Sequence, residues 1–104
     1  MTIQYKTDFS GLDWQDAFEG VRHKIQDQDG LRLRLVEYSS KMPLHWCERA
    51  HYGYLLEGRK EIEYPTEKVV YNPGDGLFIP DGPDHKHRAT PLTDIVLVFF
   101  VEYV

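Results

Sequence analysis

The sequence predicts an all-β domain, an antiparallel barrel or sandwich with a short irregular or helical arm at its N-terminal end. Three observations predict it. From residue 20 onward, apolar and polar residues alternate with period two in one short run after another. Clusters of Gly, Pro, Asn and Asp punctuate those runs. Aromatic residues make up 13% of the chain, with seven Tyr and five Phe, a bias that suits strands better than a helix bundle.

The elements follow in order. Residues 1–19 read as an arm that packs on the barrel, with a short helical turn over Ser10–Ala17 capped by Asp13. Residues 20–104 form the barrel. Gly20 to Gln26 is a strand with Val21 and Ile25 on one face. Asp29-Gly30 marks a turn. Leu31, Leu33 and Leu35 alternate with Arg32 and Arg34, a half-buried strand. After the Ser39–Pro43 break come a short strand, Leu44 to Glu48, and a longer one, His51 to Glu57, that stops at Gly58. Arg59 to Tyr64 and Glu67 to Tyr71 form a hairpin around Pro65-Thr66. Leu77-Phe78-Ile79 is a buried strand that ends at Pro80, since proline cannot donate to a ladder. His85 to Ala89 is a strand, and Ile95 to Val101 is a continuous apolar strand with both faces covered.

At 104 residues the chain has room for one domain. Its hydrophobic share of 41% and charged share of 28% are those of an ordinary globular protein. A net charge of −5 without a Lys/Arg cluster argues against a nucleic-acid partner. No apolar run approaches the roughly 20 residues that span a bilayer, and the first eight residues lack the apolar core of a signal peptide, so no membrane partner and a cytoplasmic address are expected.

Chemistry concentrates on a few side chains. His45 and Cys47 are two apart, so on a strand both face the same side. His51 opens the next strand, and His85 and His87, again two apart, begin a later one. Imidazole and thiolate are ligand types of zinc and other late first-row metals. Cys47 has no second cysteine to pair with and is a buried thiol, a reactive thiol or a ligand. His45, His51 and His85 also read as satisfied core residues of a barrel without metal. His23 reads as an ordinary strand residue, and Glu48-Arg49 and Arg59-Lys60-Glu61 as solvated charges.

The punctuation around these residues resembles that of the cupins. His45-Trp46-Cys47, then His51, then six residues and Gly58, resembles the first cupin motif, with Cys47 where a second His is usual and His51 where a Glu is usual. Gly74, Pro80, Gly82 and His85 match the second motif, whose closing Asn is replaced by Ala89. The resemblance covers about residues 20–101 and implies a small single-domain cupin of the RmlC-like superfamily, an antiparallel double-stranded β-helix or jelly-roll barrel. It implies His45, Cys47, His51 and His85 as the metal positions.

Three neutral His and one thiolate carry the same formal charge as three His and one Glu, so the two replacements move the anionic ligand without changing the charge around a divalent ion. The thiolate favours zinc, with nickel, iron or manganese as alternatives, and sits uneasily beside activated oxygen. His87, Trp46 and Phe78 are candidates for the pocket wall, core packing being the plainer reading of Phe78. Tyr52, Tyr54 and Leu56 alternate with His51, and this outward stripe reads either as packing or as the contact of a homodimer. The functional expectation is a cupin with a divalent metal that binds, and in one reading transforms, a small organic molecule. The alternative is a non-catalytic binding or sensor module whose metal is structural or lost.

Overall fold

The computed structural model describes residues 2–104. Nine strands are present among them: β1 (Gln15–Phe18), β2 (Val21–Gln28), β3 (Leu31–Ser39), β4 (His51–Glu57), β5 (Lys60–Glu63), β6 (Lys68–Tyr71), β7 (Gly76–Ile79), β8 (Arg88–Pro91) and β9 (Ile95–Tyr103). They form a six-stranded sheet in the order β1-β2-β3-β9-β4-β7 and a three-stranded sheet in the order β6-β5-β8. Every pairing is antiparallel. The chain thus forms an antiparallel jelly-roll barrel.

Turn chemistry sets the register. Asp29 (φ 54°) and Gly30 (φ 76°) both take positive φ, the backbone of a two-residue hairpin loop, and lock Gln28 opposite Leu31. Gly58 ends β4 at φ 78°, and a Cβ there would meet the Ile95 carbonyl at 2.2 Å. Gly53 has ordinary backbone but lies against β9, where a Cβ would come within 2.1 Å of the Phe99 carbonyl. The absence of a side chain at 53 lets β4 and β9 close the barrel wall.

The period-two pattern decides what lies inside. Val36, Leu55, Ile62, Leu77, Ile79, Val96, Val98 and Phe100 are buried between the sheets. Each contributes on the order of 1.5–3 kcal/mol by leaving water. In β9, Val96, Val98 and Phe100 point inward while Ile95 and Val101 are exposed, so the expectation that both faces are covered holds for one face only. Part of the outer face is covered by the arm: Phe9 packs edge-on against Phe99 at 6.1 Å, and Lys24 Nζ donates to the Phe9 carbonyl at 2.8 Å.

Three segments differ from the sequence expectation. The arm holds a single 3₁₀ turn, Phe9–Gly11, capped by Asp8, which accepts from the Ser10 amide at 3.1 Å. Residues Gln15–Phe18 then pair with β2 as an edge strand. Leu44 to Glu48 is not a strand; only Cys47 keeps a bridge, to His87. The predicted strand from His85 begins at Arg88, because Pro83 starts a 3₁₀ turn over Pro83–His85.

Candidate metal and ligand site

The space between the sheets is a cavity of about 410 Å³. His51, the first residue of β4, faces it and stacks on Phe100, with ring centroids 4.8 Å apart. The ring of His87 meets His51 edge-on at 5.1 Å. Cys47 is tied to His87 by two backbone hydrogen bonds, Cys47 N to His87 O at 2.8 Å and His87 N to Cys47 O at 2.9 Å. This bridge brings residues 40 positions apart into one corner of the cavity. One donor atom from each of Cys47, His51 and His87 lies within 4.8 Å of the other two.

Two imidazole nitrogens there, His51 Nδ1 and His87 Nε2, are buried without a hydrogen-bond partner. Buried polar atoms are rarely left in that state unless an ion, water or ligand satisfies them. His87 is fixed on its other side, where Nδ1 lies 3.1 Å from the His85 carbonyl. A carbonyl at Nδ1 holds the proton there and leaves Nε2 with a lone pair. The Glu102 carboxylate lies 3.6 Å from His51 Nδ1, longer than a hydrogen bond, and 3.4 Å from Arg34 Nη1. Arg34 in turn donates to His23 Nδ1 at 2.9 Å.

The electrostatics favour ligation. His51 beside the Cys47 thiol holds its pKa below the ordinary value, against the opposing effect of burial. Burial pushes the His87 imidazole down, which keeps it neutral and able to bind metal. Burial works to raise the Glu102 carboxyl, but His51 and Arg34 outweigh it and keep the group acidic. Around a divalent ion, four-coordinate zinc donors sit about 3.5 Å apart, given bonds of roughly 2.0–2.3 Å. A donor set of two imidazoles and one thiolate would suit a late first-row divalent metal.

The residues expected from sequence distribute unevenly. Cys47 and His51 are in the donor trio, and His87, expected in the pocket wall, joins them as the third donor. His45 lines the same cavity but is exposed; its Nδ1 lies 3.0 Å from the Pro43 carbonyl and its ring rests edge-on against Phe18. His85 lies outside the cavity: it is exposed on its 3₁₀ turn and lines a shallow surface depression with Tyr64 and Pro65. Trp46 is packed under Lys86 and Arg88 at 5.0 and 4.6 Å, away from the cavity lining. Phe78 is 81% exposed, because Leu77 and Ile79 on either side point inward. Tyr54 and Leu56 are exposed as alternation required, and Tyr52 packs against Phe78 at 5.0 Å.

Some cavity residues escaped sequence reading. His23, Arg34 and Glu102 all face inward. Lys60, read as a solvated charge, is 3% exposed and lines the wall. The signal was present, since Lys60 stands two before Ile62 and shares its face.

Comparison with known proteins supports the architecture. No curated protein matches the chain. Among solved structures, KdgF from a Halomonas species is 29% identical, with a TM-score of 0.72 over 88% of this chain and 87% of that one. An RmlC-like cupin from Shewanella frigidimarina is 16% identical, with a TM-score of 0.72 over 95% and 91%. Apo-HppE is 12% identical at a TM-score of 0.73, and the match spans 93% of this chain but 56% of HppE. The second and third likenesses are of fold. Residues 33–101 match the model of the cupin domain, a stretch that runs from within β3 to within β9 and contains all three donor residues. The chain belongs to the cupin family.

Proposed function

We propose that this cupin holds a divalent transition metal on Cys47, His51 and His87 and binds a small organic molecule at the open side of that ion. The observation that carries the reading is the meeting of one donor atom from each of Cys47, His51 and His87 within 4.8 Å of one another, with His87 Nε2 buried and unpartnered, at the wall of a cavity of about 410 Å³. Zinc is the favoured ion, because thiolate ligation suits it; nickel, iron and manganese are the alternatives. A bound metal would act as a Lewis acid on a ligand oxygen. The chain's own contribution is to orient that ligand, with His45 and Arg49 at the mouth and Glu102 behind His51.

Elemental analysis of the purified protein, followed by zinc titration after chelation, tests this reading. About one zinc per chain is expected. No metal as purified and no binding on titration would overturn it.

A second reading, a non-catalytic binding or sensor module, is supported by His51 standing where the first cupin motif usually carries a Glu. It predicts ligand binding without turnover. A homodimer is the assembly we propose, through the outer sheet face that carries Tyr52, Tyr54 and Leu56, with Phe78 and Val101 as the exposed cross-strand neighbours of Tyr52. A reducing, cytoplasmic setting suits an unpaired thiolate; among the described residues no helix is long and apolar enough to cross a membrane.

A further inference from the structure

Lys60 is buried in the wall of the cavity without a counter-ion. Alternation along β5 turns Lys60 and Ile62 inward together, and Lys60 is 3% exposed. Its Nζ lies 4.8 Å from the ring centroid of Tyr38 and 5.7 Å from that of Phe100. No hydrogen bond or ion pair among the described residues reaches it. The other cations of the wall are matched: Arg32 with Asp27 at 2.7 Å, Arg34 with Glu102 at 3.4 Å, and Arg88 with Glu63 at 2.8 Å. Arg49 has no carboxylate partner either, but it is exposed at the mouth and solvated.

A buried, unmatched ammonium is costly, and aromatic faces offset only part of that cost. The fold has no need of it; a Met side chain would fill the same position and cost less. The group that faces Lys60 across open space is whatever fills the cavity.

We propose that Lys60 anchors an acidic group of the cavity's ligand, and that this ligand is a small monocarboxylate. Among the described residues, Lys60 is the one buried, unpaired cation that the chain itself contributes to the wall, and one carboxylate matches it. Arg49 at the mouth steers anions inward. The inference rests on the cavity being a ligand pocket, as proposed above, and is independent of whether metal is bound.

Calorimetric titration tests it, with benzoate, lactate and gluconate each compared with its neutral amide, on the full chain both stripped with chelator and loaded with zinc. The acids are expected to bind at least about tenfold more tightly than the amides. Lys60→Met is expected to erase that preference while keeping a cooperative melt, and Lys60→Gln supplies the same comparison should the Met variant not fold. Arg49→Gln is expected to weaken the acids by less than about fivefold, as for a solvated charge. Stripped protein that keeps its acid preference supports the anchor even where zinc binding fails. Zinc binding with no acid preference in the parent, or a preference that survives in Lys60→Met, overturns the anchor and leaves the metal site standing.

Discussion

Cys47 and His87 exchange both of their backbone hydrogen bonds, at 2.8 and 2.9 Å, as an isolated bridge between two segments that are not strands. The bridge fixes the backbone beneath both side chains, so the thiol and the imidazole are held toward the same corner before any ion arrives. Preorganisation of this kind lowers the entropy lost on ligation.

The two histidines near the second motif should separate cleanly. His87→Ala, like Cys47→Ala and His51→Ala, is expected to lower zinc affinity by more than about a hundredfold, a ligand loss exceeding that of an outer-shell change. His85→Ala is expected to leave it nearly unchanged. Competition against a chromogenic chelator measures both, and a loss at His85 equal to that at His87 would count against the trio.

Glu102 stands behind His51, with Arg34 on its other side. Carboxylates in that position orient a ligating imidazole and raise its basicity. Glu102→Gln is expected to cost about tenfold in zinc affinity with little effect on the fold. The same competition assay reads the affinity, and circular dichroism reads the fold.

The Cys47 thiol should be more reactive than an ordinary cysteine. With its pKa held down by His51, its alkylation by iodoacetamide is expected to reach half-maximal rate at a pH below that of a free thiol. His51→Ala should move the midpoint upward, and zinc should protect the thiol in the parent. Rates followed by mass spectrometry across pH check all three outcomes.

Lys60 should make stability depend on pH with a definite sign. Burial pushes its pKa down from 10.5 to about 7. Between those values the unfolded chain binds more protons than the folded one, so this group's contribution to stability rises with pH from about 7 toward 10.5. The penalty is fully present below pH 7, where both states are charged. Lys60→Met is therefore expected to gain on the order of 1–4 kcal/mol at pH 6, a gain that shrinks as pH rises. Urea unfolding of parent and variant across pH measures it. A bound carboxylate supplies the missing partner and should flatten the difference.

The outer face offers a last test. Tyr54→Glu, with Phe78→Ser as a companion, is expected to shift the protein toward monomer at micromolar concentration by analytical ultracentrifugation. A parent that is monomeric already would end the dimer reading.

Much of the barrel was legible because period two is a local property. Leu55 is assigned inward with His51 by alternation along one strand, whereas the apolar runs Leu77–Ile79 and Ile95–Val101 carry no phase of their own; Asp29-Gly30 and Gly58 announce the reversals that the backbone then makes with positive φ. The second motif pointed to His85, whereas the structure groups His87 with Cys47 and His51. The 3₁₀ turn over Pro83–His85 carries the His85 side chain outward and leaves His87 facing the cavity. Phe78 was misleading in the opposite way, since an aromatic in an apolar run reads as interior until its strand phase is known.

The sequence by itself determined the architecture, the family and the types of donor available, because alternation, turn chemistry and spaced glycines act over a few residues and need no partner to be read. Tertiary structure decided which donors meet. Cys47 joins His87 only through a bridge between distant segments, and Lys60 becomes a buried, unmatched charge only once β5 closes against the cavity. Ligation and charge burial depend on distances of a few ångströms between groups far apart along the chain, and no local pattern encodes those distances.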